Sequence, residues 1–215
     1  TFLAVFQEHQ LSPGERGYVL IVAPTIRQSG IIRRYISGFF HDNEFLRPYV
    51  VNETKWELEL SNQVVILTLS SDYRSLRGYT AIACLVDECA YLSIEGQKPD
   101  LEVIRALRSR LTSTGGPLIS ISSPYSKRGT LYTTYKRHFG KDGSPLLVWQ
   151  GSSLQMNPTL SAAAVAQAFE EDPEGAAADY NAEFRSDLES FLTDELVNAA
   201  VVPGRLELPF VPGVT

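Results

Sequence analysis

Ile82-Ala83-Cys84-Leu85-Val86-Asp87-Glu88 sets a short apolar run directly ahead of two adjacent carboxylates. A run of this kind reads as a strand covered on both faces, as in the parallel sheet of an α/β protein. Such sheets carry their ligand chemistry at the carboxyl ends of the strands. The run therefore predicts Asp87 and Glu88 side by side at that edge. An Asp there can hold Mg²⁺ through its oxygens. A Glu beside it can take a proton from water. A strand also ends in charge simply because it meets solvent, so the pair decides little until its flanks are read.

Two more runs share the pattern. Tyr18-Val19-Leu20-Ile21-Val22-Ala23 is almost wholly apolar and is stopped by Pro24, while Leu118-Ile119-Ser120-Ile121-Ser122 is stopped by Ser123-Pro124. Helical periodicity separates them. Ile31, Ile32, Tyr35, Ile36 and Phe39 form an apolar stripe over 28–40. Pro99 opens a second helix that runs to Leu111. Further helices are predicted over 1–9, over 130–139, after an N-cap at Ser161 through Glu170, and over 173–184. Trp56–Leu60 alternates strictly, and Val64–Leu69 follows after Ser61-Asn62-Gln63, which predicts a hairpin added antiparallel to the sheet. A short strand is expected at Leu146–Trp149. Apolar strands alternating with helices predict a doubly wound, three-layer α/β/α fold with a mostly parallel central sheet, and strands 18–23, 82–86 and 118–122 as its buried parallel members.

Length and composition agree. The chain has 215 residues, enough for one large domain with a substantial core, with no boundary expected before about residue 185. Hydrophobic content of 44% with 20% charged residues excludes a disordered chain. No apolar run approaches a membrane span, and the first residues lack the basic region of a secretory signal. Cys84 is predicted inside the strand and Cys89 just beyond it, and their spacing makes neither a zinc site nor a disulfide framework. The formal net charge of −6 does not advertise a polyanion partner. Local basic clusters do exist, at Arg33-Arg34, at Arg105 with Arg108 and Arg110, at Lys127-Arg128 and at Lys136-Arg137-His138. Each can equally be a solvated helix face.

The chemistry gathers at the strand ends. After 18–23 comes Pro24-Thr25-Ile26-Arg27-Gln28, after 82–86 comes Asp87-Glu88, and after 118–122 comes Ser123-Pro124-Tyr125-Ser126-Lys127-Arg128-Gly129. Ser75-Leu76-Arg77-Gly78-Tyr79 lies between the first two. Three polar strand ends at one edge fit a phosphoryl-transfer site, in which one acid holds the metal, another activates water and a polar strand end reads the γ-phosphate. His9, His41 and His138 have no ligand spacing for zinc. Ser122 and Ser123 lack the G-x-S-x-G elbow of a serine hydrolase. Trp56 and Trp149 read as packing residues rather than platforms for bases.

The order and spacing of these segments resemble the ATPase domain of the large terminase subunit, the motor that packages DNA into tailed-phage proheads. The resemblance rests on Val19–Gln28, Ser75–Gly78, Cys84–Tyr91, Ile119–Pro124 with Gly129–Tyr132, and Tyr180–Phe184. It covers roughly residues 1–192, leaving 193–215 as a linker or the start of a following region. It implies a P-loop NTPase fold of the ASCE, RecA/helicase-like kind. It also implies ATP as substrate, with Mg²⁺. By resemblance Asp87 is the Walker B metal ligand and Glu88 the catalytic glutamate. Ser122, Ser123 and Pro124 match the coupling motif. Thr25, Gln28, Arg77 and Gly78 are candidates to line the nucleotide site. Implied partners are double-stranded DNA, a portal protein, a small terminase subunit and further copies of the chain in a ring. No membrane is implied, and the implied location is the cytoplasm of an infected bacterial host. Arg105, Arg108, Lys127 and Arg128 are the candidates for the DNA backbone.

One departure is large. No G-x-x-x-x-G-K-[ST] phosphate loop occurs in the chain. Lys141 follows Gly140, but Asp142 stands where a hydroxyl residue is required. The expectation is a motor domain that starts a few residues after the loop, lacks the first strand, leaves flanking strands exposed, and has little ATPase activity as it stands. The family's nuclease domain is not expected either. Asp187, Glu189, Asp194 and Glu195 read as a solvated linker or helix face, with too few residues after 192 for that domain. A DNA or RNA helicase core, favoured by Pro24-Thr25 and Asp87-Glu88, is the alternative enzyme. An interaction module that keeps the fold without the chemistry is the alternative outside enzymes.

Overall fold

The computed structural model describes residues 1–9, 11–70, 78–92 and 99–185. Arg77 and the acids at 187, 189, 194 and 195 lie outside the described residues. The elements in chain order are α1 (Phe2–Val5), β1 (Gly17–Ala23), α2 (Ile26–Asp42), β2 (Val50–Glu53), β3 (Glu57–Leu60), β4 (Val64–Ser70), β5 (Ala81–Val86), α3 (Pro99–Leu111), β6 (Leu118–Ser120), α4 (Gly129–His138), α5 (Ser153–Met156), α6 (Ala162–Glu171) and α7 (Pro173–Asn181).

The strands form one sheet in the order β2-β3-β4-β1-β5-β6. β4, β1, β5 and β6 run parallel, while β3 is antiparallel to β4 and β2 is antiparallel to β3. The side-chain period of two sends alternate residues of each strand into different cores. On one face Leu20, Val22, Cys84 and Val86 meet Val103, Leu107 and Leu111 of α3. On the other, Val19, Ile21 and Ile66 share a cluster with Phe40, Ile32 and Ile36 of α2 and Ala4 of α1. Helices therefore cover both faces, and the three-layer α/β/α fold is the one observed. Among the described residues no helix is long and apolar enough to cross a membrane.

The hairpin at 57–70 turns through Ser61-Asn62-Gln63, with Gln63 in the left-handed region at φ 66°. Three-residue loops of this kind place one residue there. The hairpin is not an appendage, however. Its second strand, β4, pairs parallel with β1 along its length and lies inside the sheet. Alternation identifies a strand but not its neighbour, and β2 carries no apolar run that would betray it.

Two expectations fail at the opposite side. The stretch 118–122 is not a buried core strand. Only Leu118–Ser120 pair, on one side only, with β5, and Ile119 and Ile121 are 44% and 62% exposed. Leu146–Trp149 forms no strand, and Leu147 and Trp149 stand 94% and 71% exposed, so Trp149 is not a packing residue. Both stretches have strand-like sequences, but burial and pairing need a neighbour. Among the described residues β6 is the end of the sheet.

Candidate active site

β5 ends where Asp87 donates its backbone N–H to the Val22 carbonyl at 2.8 Å, which fastens the strand end to β1. Glu88 then adopts φ 49° and ψ 47°, in the left-handed region. A non-glycine residue held there costs about 1–3 kcal/mol and persists only where its surroundings impose it. Here the surroundings are a short 3₁₀ turn, Cys89–Tyr91, which Glu88 precedes, and the exit of β6. The Cys89 N–H donates to the Ile121 carbonyl at 3.2 Å, and the Ala90 N–H to the Ser122 hydroxyl at 3.2 Å. The Ile121 N–H donates to the Val86 carbonyl at 2.9 Å. Two strand ends are thereby knitted together.

The Ser122 hydroxyl lies 3.1 Å from Glu88 Oε2 and 2.8 Å from the Ser123 carbonyl oxygen. It has one proton to give, so it serves one of the two acceptors at a time. Glu88 and Ser122, matched to different motifs and 34 positions apart, are in direct contact. Ser123 is half-buried and Pro124 buried just beyond. The Tyr125 and Tyr91 rings meet at a tilt, their centroids 5.0 Å apart, and close the junction.

The other candidates are placed as follows. Thr25 and Gln28 form the capping box of α2, in which the Gln28 N–H donates to Thr25 Oγ1 at 3.3 Å and the Thr25 N–H to Gln28 Oε1 at 3.1 Å. Their polar atoms serve the helix start, at the carboxyl end of β1. Gly78 has φ 94°, a conformation that favours glycine, and is exposed. Arg105 pairs with Glu102 at 3.0 Å within α3, and Arg108 is exposed one turn on. Lys127 and Arg128 are exposed ahead of α4, with Arg128 Nε donating to Ser126 Oγ at 3.2 Å. The four candidate cations therefore stand on two different segments, two on a helix and two on a loop.

The donor set speaks to the metal. Among the described residues no three His, Cys, Asp or Glu side chains stand together as a cage. Mg²⁺ takes one or two carboxylates and completes its shell with water and substrate phosphates. The carboxylate of Asp87 is the kind of donor that an ion arriving with a nucleotide would take. Burial pushes both nearby thiols up to about 12, and for Cys89 the charges of Glu88, Asp100 and Asp87 add to it. Both are buried and favour the protonated thiol in the fold.

Sequence reasoning missed one assembly. Arg33, read as half of a solvated basic pair, is buried, with Nη2 donating to Glu53 Oε1 at 3.0 Å and to the Glu57 carbonyl at 2.9 Å. Glu53 also accepts from the Ser37 hydroxyl at 2.6 Å and meets His41 Nε2 at 2.6 Å. Burial alone would raise the Glu53 carboxyl, but bonds from His41 and Ser37 and the Arg33 charge outweigh it and hold the group at about 2. The available signal was position: Arg33 follows Ile32 on the helix face turned to the sheet.

No family model and no curated protein sequence matches the chain. Solved structures do. The Thermus phage P74-26 large terminase ATPase domain superposes with a TM-score of 0.60 at 19% identity, covering 80% of this chain and 77% of that one. The HK97 bacteriophage large terminase gives 0.58 at 18% identity over 81% of this chain, which spans 41% of its length. At these identities the likeness is one of fold. The chain shares the mostly parallel, helix-flanked sheet of these large-terminase structures.

Proposed function

We propose that this chain is the ATP-hydrolysing motor domain that drives double-stranded viral DNA into a prohead. The observation that carries the reading is the Glu88–Ser122 contact at the carboxyl edge of a large-terminase-like sheet. A general base needs to sit within reach of water, and a motor needs that base joined to an element that moves. Here one hydroxyl touches both the Glu88 carboxylate and the Ser123 carbonyl, at the start of the coupling segment Ser122–Pro124.

In this reading Asp87 holds Mg²⁺, which neutralises charge on the transferring phosphate when bound. Glu88 accepts a proton from the attacking water. A water oxygen bonds to the γ-phosphorus, the bond to the β-phosphate bridging oxygen breaks, and that oxygen leaves with the electron pair on ADP. As Glu88 changes its proton and charge, the Ser122 proton is redistributed between Glu88 and Ser123. The nucleotide's state thus reaches the β6 exit. Thr25, Gln28, Arg77 and Gly78 are proposed at the margin of the nucleotide. Work on DNA in a ring of copies beside a portal and a small terminase subunit, in the cytoplasm of an infected bacterium, belongs to the same proposal, as does a motor domain extending to about residue 192.

The phosphates need a cradle that these 215 residues do not encode. The test joins a β-strand and a G-x-x-x-x-G-K-[ST] loop ahead of Thr1 and measures Mg²⁺-dependent phosphate release. The unextended chain is expected to be nearly inactive and the extended one active. Glu88→Gln in the extended protein should leave nucleotide binding intact and lower turnover by about 10²-fold or more. Asp87→Asn should instead raise the Mg²⁺ requirement. An extended protein that never hydrolyses ATP favours the non-catalytic interaction module. Full turnover by Glu88→Gln removes Glu88 from its role.

A further inference from the structure

Beside the candidate site, a groove of about 640 Å³ runs between α2 and the turn that joins β2 to β3. Its lining holds four cations, Arg27, Arg33, Arg34 and Lys55, against one acid, Glu53. That acid is already engaged three times over, by Arg33, Ser37 and His41. The Arg33 side chain is 4% exposed, yet its Nε and Nη1 have no partner among the described residues. A buried guanidinium with two nitrogens, and so three N–H groups, unmatched is costly unless an acceptor completes it. Arg27 and Arg34 make no hydrogen bond or ion pair among the described residues, and the Lys55 ammonium sits 4.5 Å above the Trp56 ring.

The cations are spread rather than focused. Arg27 and Arg34 are seven residues apart on α2, about 10 Å along the axis, and Lys55 faces them from the hairpin turn. One small oxyanion cannot bridge that span, but a repeating phosphate backbone can. The groove also opens at the sheet edge that carries Asp87 and Glu88: α2 starts at the carboxyl end of β1, and the Trp56 carbonyl accepts from the Thr68 N–H near the carboxyl end of β4.

We infer that this groove binds the phosphodiester backbone of a polynucleotide, with Arg27, Arg34 and Lys55 as the contacting cations and Arg33 as the buried charge behind them. The choice of duplex DNA as that polynucleotide rests on the function proposed above, and the groove itself does not. This surface is separate from Arg105 and Arg108 on α3 and from Lys127 and Arg128 on the loop ahead of α4.

The experiment measures anisotropy of two labelled duplexes of unrelated sequence against the protein, without nucleotide, from low to moderate salt. Arg34→Glu and Lys55→Glu should each weaken both duplexes alike and flatten the slope of log K on log salt by roughly one unit per lost phosphate contact. Lys136→Glu, a reversal at the far end of α4, should leave the slope unchanged. Trp56 supplies the second readout. In a Trp149→Phe background it is the only tryptophan, and its emission should respond to duplex at far lower concentration than to inorganic phosphate or ATP. Slopes unmoved by both groove reversals overturn the proposal, as does a Trp56 response that saturates first with free phosphate or ATP. A single-stranded ligand preferred over duplex keeps the groove as a backbone site and overturns the duplex assignment. Because no hydrolysis enters, these outcomes are independent of the Glu88→Gln result.

Discussion

β5 and β6 are neighbours in one parallel sheet and start from similar apolar sequences, yet they have opposite fates. β5 lies between β1 and β6, with Ala81 to Cys84 and Val86 buried. Among the described residues β6 has one neighbour and pairs over three residues, and Ile119 and Ile121 are exposed. The far edge of the sheet is managed differently. β2 is also short and exposed, but Glu53 at its end is tied to α2 through Arg33, Ser37 and His41. An unpaired edge invites another strand unless it is short, charged or covered. β2 carries charge and a brace, whereas β6 presents isoleucines. The acids of the candidate site thus stand on a braced strand, and their serine partner hangs from an open one.

This contrast can be broken most directly in the core. Ile82→Ala in β5 should cost about 2–5 kcal/mol, as truncations at fully buried sites do, read as a lower denaturant midpoint. Equal stability of the two proteins would mean that β5 is no more braced than β6. A smaller effect, about 1–2 kcal/mol, is expected for Ser122→Ala, which removes the hydroxyl shared by the Ala90 N–H and the Glu88 carboxylate. Stability unchanged to within error would leave the two strand ends uncoupled.

Acidity tests the braced edge. The Glu53 carboxyl is held at about 2 in the fold against about 4.3 in an unfolded chain. A lowered folded-state value means that ionised Glu53 stabilises fully above the unfolded value, and that this contribution drains away as pH falls from there towards 2. The stability gap between the protein and Glu53→Gln should be widest near neutrality and narrow steadily below about pH 4.5. A gap independent of pH would detach Glu53 from its ionic partners. The smallest effect belongs to the open edge. Ile121→Thr should shift stability by no more than about 0.5 kcal/mol, as exposed substitutions do, while reducing self-association measured by light scattering. A large loss of stability there would show the edge to be covered in solution.

Much of this fold was legible from local pattern. The bounds of α3 follow from Pro99 at its first turn and the apolar spacing to Leu111, and Ser161 caps α6 as its position suggests. β1 and β5 announce themselves as continuous apolar runs, and the Asp87-Glu88 terminus falls at the strand end. What escaped depends on who stands next to whom. No periodicity says that β4 pairs with β1 or that, among the described residues, β6 lacks a second neighbour and Leu146–Trp149 stays unpaired. The Glu88–Ser122 contact joins residues whose proximity only the strand order creates. Arg33 looked like any solvated arginine because its burial is decided by Glu53 and the backbone of a hairpin distant in sequence.

Gly116 lies at the turn into β6, where a Cβ would run into the Ile82 carbonyl of β5, and the two cysteines lie on the same strand and just beyond it. Both are buried, with thiols raised to about 12. Thiol reagents attack the thiolate, so burial and the raised thiols slow them in the fold, and reaction is expected chiefly in the moments when the strand or its end comes away. The pace of alkylation is therefore a clock for those excursions, built in without any added probe. Cys84 reports from inside the strand, and Cys89 from the turn that holds Glu88. Should Cys89 react much sooner than Cys84, the strand end unlatches from Ser122 on its own while the sheet behind it stays shut.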